Sequence, residues 1–165
     1  IPNLVSSNYD TIIAGMSITA ERDEVIDFTQ AYTPPDPSAY VALSMDADIM
    51  GGVVAAQINT IQASFLAEKG VTVLEFATPE DTIAAVRNGE ADAVLADESY
   101  LMPIAADDPD LVMLDAKEAI GGGVGMGVRE SDPELKAKFD MAIQSMKDDG
   151  TLNELIAKWE VSSQW

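Results

Sequence analysis

Apolar and polar residues alternate along the chain on two length scales, and from Gly52 onward the order becomes regular. Residues 53–56, Val-Val-Ala-Ala, form a continuous apolar run of the length of a buried strand. Residues 60–69 follow as a helix opened by Thr60 and closed by Gly70, and residues 71–76 return to strand character. Thr78-Pro79-Glu80 places a cap residue, a proline at the first helical position and an acid in the first turn, which predicts a helix reaching Asn88 and stopped by Gly89. A strand over 91–96, a helical stretch around 100–106 and a strand over 111–114 complete the series. Strands alternating with helices in this way predict an α/β fold built on a parallel sheet flanked by helices.

The segments on either side are less regular. Residues 12–14 read as a short buried strand, and Thr19-Ala20-Glu21-Arg22 is a cap residue followed by helix formers. Thr33-Pro34-Pro35-Asp36-Pro37 is too proline-rich for a sheet or helix interior and reads as an extended hinge, after which 39–43 resumes a strand pattern. Residues 121–127 are glycine-rich with apolar insertions and suggest a second crossing strand. Asp132-Pro133-Glu134 then starts a helix whose apolar positions Leu135, Phe139, Ile143 and Met146 keep helical spacing. Gly150 ends it, Thr151 is the expected cap of a final helix, and Leu152, Leu155, Ile156 and Trp159 should form that helix's apolar face. At the other end, Ile1, Leu4 and Val5 before Ser6-Ser7-Asn8 resemble the last turns of an amphipathic helix, so the chain reads as opening in mid-domain.

Composition narrows the chemistry. Nine Lys and Arg against 29 Asp and Glu give a net charge of -20, which repels nucleic-acid backbones and anionic lipid surfaces. The absence of Cys and His removes thiol nucleophiles, Ser-His-Asp triads and His proton shuttles from consideration. No apolar run approaches the roughly 20 residues of a membrane-spanning helix, so no membrane-embedded segment is expected. The acidic groups Asp46/Asp48 and Asp107/Asp108/Asp110 lack the spacing of a calcium loop, and the glycines at 123, 125 and 127 do not form a nucleotide-binding fingerprint. Neither metal nor cofactor is expected.

In open α/β sheets ligands bind beyond the carboxyl ends of the strands. Three such ends carry suggestive residues: Gly15, Ser17 and Arg22 after the first strand, Gln57, Asn59 and Thr60 after residue 56, and Asp97 after residue 96. The Arg22 guanidinium matches a carboxylate with two parallel hydrogen bonds, and a helix start at Thr60 adds backbone donors. Asp97 is an acceptor for an ammonium, with the Ser17 hydroxyl and the Gly15 carbonyl adding uncharged partners. Together these groups suit a zwitterion. Taken singly each has an ordinary structural role, Arg22 as a surface partner of Glu21 or Asp27, Thr60 and Asp97 as helix-start residues.

The run Tyr9-Asp10-Thr11-Ile12-Ile13-Ala14-Gly15-Met16-Ser17-Ile18-Thr19-Ala20-Glu21-Arg22, followed by Ile26-Asp27-Phe28-Thr29 and Tyr32, resembles the family-3 amino-acid-binding proteins of ABC importers. Asn88-Gly89-Glu90-Ala91-Asp92-Ala93-Val94 with Asp97, Gly125-Met126-Gly127-Val128-Arg129, and Lys147-Asp148-Asp149-Gly150-Thr151-Leu152 with Trp159 extend the likeness over nearly the whole chain. It is most similar to the lysine/arginine/ornithine and histidine binders.

The resemblance implies a type II periplasmic binding fold, two lobes joined by two hinge strands. Residues 1–34 and 123–165 would form an incomplete lobe one, and 35–122 lobe two. It implies that Arg22 grips the substrate carboxylate, that Gly15, Met16 and Ser17 assist, that Gln57 and Thr60 contribute from lobe two, and that Asp97 takes the ammonium. The implied function is binding of an amino acid or derivative, basic and opine-like ones included, in an interlobe cleft. Delivery to an ABC permease would follow, in the periplasm or from an extracellular lipid anchor. Ile58 departs from the family's usual Gly before its Thr-Thr, and the family's opening strand, helix and strand of lobe one have no counterpart here. The expectation is therefore a proteolysed, incomplete or swapped chain with apolar surface uncovered in lobe one. Two rival readings use the same fold: a cyclohexadienyl dehydratase-like enzyme with Glu98 as general acid, and the ligand-sensing domain of a receptor.

Overall fold

A computed structural model describes residues 1–165. In chain order its elements are α1 (Pro2–Val5), β1 (Thr11–Ile12), α2 (Ala20–Asp23), β2 (Asp27–Phe28), β3 (Ser38–Ala42), β4 (Val53–Gln57), α3 (Ile61–Glu68), β5 (Thr72–Phe76), α4 (Pro79–Arg87), β6 (Ala93–Asp97), α5 (Glu98–Asp107), β7 (Val112–Glu118), β8 (Gly127–Val128), α6 (Pro133–Asp148) and α7 (Thr151–Trp159). They fall into two compact units, Ile1–Pro35 with Gly121–Trp165, and Asp36–Ile120.

The second unit is a five-stranded sheet in the order β5-β4-β6-β3-β7. Parallel pairing holds for β4 with β5 and with β6. It fails for β3, which lies antiparallel to both β6 and β7, so the sheet is mixed rather than parallel. Every residue of β3 is buried, as expected for a strand flanked on both edges and covered on both faces. One face packs Val41, Ile83, Val86, Val94 and Leu101, the other Tyr40, Val54, Leu66, Val71 and Leu95. The helices start where capping chemistry dictates: Thr60 Oγ1 accepts from the Ala63 amide and Thr78 Oγ1 from the Asp81 amide.

The first unit carries a three-stranded antiparallel sheet, β1-β8-β2, of two residues per strand. The strand expected over 12–14 stops at Ile12, because Ile13 points to solvent with 58% of its surface exposed. The glycine-rich segment is not a regular strand either. Val124 makes isolated bridges to Ser17 and Thr33, and Gly123 takes a left-handed φ of +90° with the Thr33 carbonyl where a Cβ would sit. At the last helix the cap position belongs to Gly150, in a left-handed conformation, and Thr151 is the first helical residue, its amide held by Asp149 Oδ1 at 2.9 Å. Only Leu152 and Ile156 of the expected apolar face are buried there, whereas Trp159 remains 66% exposed. No helix is long and apolar enough to cross a membrane.

Candidate functional site

In the first unit Gly15, Met16, Ser17 and Arg22 meet on the stretch that leaves β1 and enters α2. Gly15 has a φ of +64° with no atom within 4 Å of a would-be Cβ, so backbone conformation rather than space calls for glycine here. Met16 turns its side chain into the cluster of Leu4, Ile12, Ile26 and Phe28, and its carbonyl accepts from the Gly125 amide at 3.2 Å. Thr19 caps α2 by accepting from the Arg22 amide, and Arg22 Nη1 donates to the Ser17 carbonyl at 2.9 Å. The guanidinium is thus aimed by its own loop. Burial lowers its pKa from the ordinary value while Glu21 acts in the opposite sense, and a guanidinium so placed remains charged at neutral pH. Tyr32 joins this group through a hydrogen bond with the Gly15 backbone, and burial pushes its phenol up.

In the second unit the parallel strands β4 and β6 end at the same edge, which brings Gln57, Thr60 and Asp97 around one cavity of about 240 Å³. Pro79 and Thr82 of α4 and Tyr100 of α5 also line it. Asn59 adopts a left-handed φ of +63°, a conformation Asn tolerates well, and turns the chain from Ile58 into α3. The Thr60 hydroxyl donates to the Gln57 carbonyl at 2.7 Å while accepting from Ala63. Its proton is therefore directed at the protein, and what remains for a ligand is an acceptor lone pair.

Asp97 occupies the N-cap position of α5 without making a side-chain cap hydrogen bond. That duty falls to Asp36, whose Oδ2 accepts from the Ser99 amide at 3.2 Å and the Ser99 hydroxyl at 2.5 Å. The Asp97 carboxylate is instead held by Gln62 Nε2 at 2.7 Å. Burial pushes the Asp97 carboxyl above its ordinary value, Asp36 adds to the rise, and Gln62 opposes it. Glu98, the candidate acid of the enzymatic reading, accepts a hydrogen bond from Lys117 Nζ and does not line the cavity. No group of three or more acidic side chains is arranged to hold a metal ion.

Sequence reasoning missed Gln62, Asp36 and Ser38. Gln62 is the legible one of the three, since it shares the buried face of α3 with Leu66, four residues on, where a polar residue needs a partner. Asp36 was hidden among prolines, and Ser38 inside a fully buried strand.

Comparison with known proteins adds an independent line. The profile of bacterial extracellular solute-binding proteins, family 3, matches residues 1–162. The structure of a periplasmic His/Glu/Gln/Arg/opine family-binding protein from Silicibacter pomeroyi in complex with lysine is 64% identical with a TM-score of 0.92, covering 100% of this chain and 77% of that one. The putative ABC transporter arginine-binding protein 2 of Escherichia coli (strain K12) is 29% identical over 171 residues, 96% of this chain and 69% of that protein. The ancestral amino acid-binding protein AncCDT-1, a precursor of cyclohexadienyl dehydratase, shares the fold at a TM-score of 0.81 and 24% identity, covering 96% of this chain and 71% of that one.

Proposed function

Because the chain belongs to the bacterial extracellular solute-binding proteins of family 3, we propose that it binds an amino acid or a close derivative in the periplasm and delivers it, unaltered, to the permease of an ABC importer. Arg22 takes the ligand carboxylate, supported by Gly15, Met16 and Ser17. Asp97 takes the ammonium, with Gln57 and Thr60 beside it. The observation that carries this reading is the Asp97 carboxylate: it lines a cavity, is relieved of helix capping by Asp36, and has an anionic form that burial disfavours. An ammonium supplies the charge that such a group lacks.

Binding proteins rather than enzymes are also the better match to Glu98. A dehydratase needs that carboxyl over its substrate, and here it is engaged by Lys117 outside the cavity lining. Release of an aromatic product from prephenate or arogenate would overturn this part of the reading.

Titration calorimetry with lysine, arginine, histidine, glutamine and octopine tests the main proposal. One-to-one binding of at least one is expected, and binding of none would sink it. The Asp97→Asn variant should bind about 30-fold or more weakly, since truncating a buried hydrogen-bonded charge pair costs about 2–5 kcal/mol. The same variant should melt higher without ligand at neutral pH. The sign follows from linkage: a carboxyl raised in the folded state gives stability that is full below the ordinary carboxylate pKa and is lost as pH rises through the folded value. Removing its charge therefore helps at pH 7 and not in strong acid.

A further inference from the structure

Gln62 sits in the first turn of α3 and is 6% exposed. Its side-chain nitrogen reaches two acceptors at once, Asp97 Oδ1 at 2.7 Å and Ser38 Oγ at 3.0 Å. Ser38 and Asp97 are themselves paired across β3 and β6, so the three residues tie a helix to two adjacent strands. A primary amide has two N–H donors, and here both bonds come from the one nitrogen that a buried amide must satisfy. The bond to Asp97 engages Oδ1, and the carboxylate keeps Oδ2 for another partner. Asp36 caps α5 through Oδ2 and acts on Asp97 as a like charge, not as a donor.

We propose that Gln62 is a positioning residue which fixes the rotamer and the ionised form of the Asp97 carboxylate, so that one oxygen is presented to the ligand's ammonium. This rests on the amino-acid reading of the site and deepens it. The groups acting on Asp97 are few: Asp36 from the segment before β3 carries a like charge, Gln62 supplies the hydrogen bond, and Tyr100 of α5 is the other titratable group lining the cavity. With Gln62 removed, burial and Asp36 act on Asp97 without the opposing hydrogen bond, and the carboxylate loses its fixed geometry together with the contact that favours its charged form.

The test compares Gln62→Glu, which keeps the shape but sets an acceptor against Asp97, with Gln62→Met, which keeps the length without any polar atom. Both are checked for folding by circular dichroism. Affinity for the tightest amino acid found with the unaltered protein is measured from pH 4 to 8, and the Asp97 carboxyl is titrated by carbon NMR without ligand. Each variant should bind about tenfold or more weakly at neutral pH. The acid limb of the affinity profile and the Asp97 titration should both move to higher pH, further in Gln62→Glu. Variants that fold and bind as the unaltered protein does overturn the inference alone. So does a uniform loss of affinity at every pH with the Asp97 titration unmoved, which would mark a packing role. If the unaltered protein binds none of the amino acids, the functional reading falls first and the ligand role of Gln62 with it.

Discussion

The two units contain similar lengths of chain but are held together differently. In the second, twenty apolar residues are buried on the two faces of a five-stranded sheet; in the first, eight are, namely Leu4, Ile12, Ile26, Phe28, Val128, Ile143, Leu152 and Ile156. The first unit makes up the difference with charged and amide hydrogen bonds. Arg129 donates to the carbonyls of Leu4 and Tyr9 and pairs with Asp10 and Asp132, while Asp140 holds both the amide and the side chain of Gln30, whose own oxygen accepts from Lys147. One unit thus depends on apolar area removed from water and the other on a few directional contacts. Salt and small changes of geometry should affect the second kind of scaffold more.

The largest effect that probes this contrast is a core truncation. Leu66→Ala empties a fully buried position between Val54, Val71 and Leu95 and should cost about 2–5 kcal/mol. Both tryptophans, Trp159 and Trp165, lie in the first unit, so their fluorescence reports that unit during urea unfolding while far-ultraviolet circular dichroism reports both. The expected outcome is a circular-dichroism transition that moves to lower urea ahead of the tryptophan signal. Coincident movement of the two signals would mean that the units unfold as one, and the contrast would lose its energetic meaning.

A smaller effect probes the directional scaffold. An alanine Cβ at Gly123 would stand 2.6 Å from the Thr33 carbonyl and 3.1 Å from Ala31 Cβ, with φ at +90°. Gly89→Ala is the control in the second unit, with φ at +72° and open space around the position. Gly89→Ala should cost only the left-handed strain, about 1–2 kcal/mol, and Gly123→Ala should add about 1–3 kcal/mol for the forced backbone shift. Tryptophan-detected unfolding should register the second substitution and not the first. Equal costs would show that the first unit yields easily around Gly123.

Much of this was legible in the sequence, and the failures over the sheet and the cavity share a cause. Helix starts at Thr19, Thr60 and Thr78 follow from capping chemistry and the one at Pro133 from proline's fit to the first helical position; both signals are local, and all four starts are present. Strand positions in the second unit follow from apolar runs of the right length. The direction of β3 does not, because its neighbours β6 and β7 lie more than fifty residues away and a buried run looks the same in either orientation. The same limit applies to the cavity of the second unit. Thr60 and Asp97 stand at a helix start and a strand end where a general rule points. The partners that condition Asp97 come from a proline-rich segment, the first residue of a buried strand and the first turn of a helix, and no local pattern links the helix to the other two.

The smallest predicted effect separates scaffold from site within the second unit. Thr60 and Thr78 cap consecutive helices with the same geometry, each side-chain oxygen accepting an amide three residues on, at 3.3 Å from Ala63 and 3.2 Å from Asp81. Substituting either with alanine removes one such bond and should cost about 1 kcal/mol. Stability therefore cannot tell them apart, but ligand affinity can. Only Thr60 lines the cavity beside Asp97, and its hydroxyl also fixes the Gln57 carbonyl through a 2.7 Å bond. Thr60→Ala should weaken amino-acid binding severalfold and Thr78→Ala should leave it unchanged, because Thr78 does not itself line the cavity and its hydroxyl bonds Asp81 rather than a cavity residue. Calorimetry on the two variants at matched stability makes the comparison, and equal affinities would reduce Thr60 to a cap like any other.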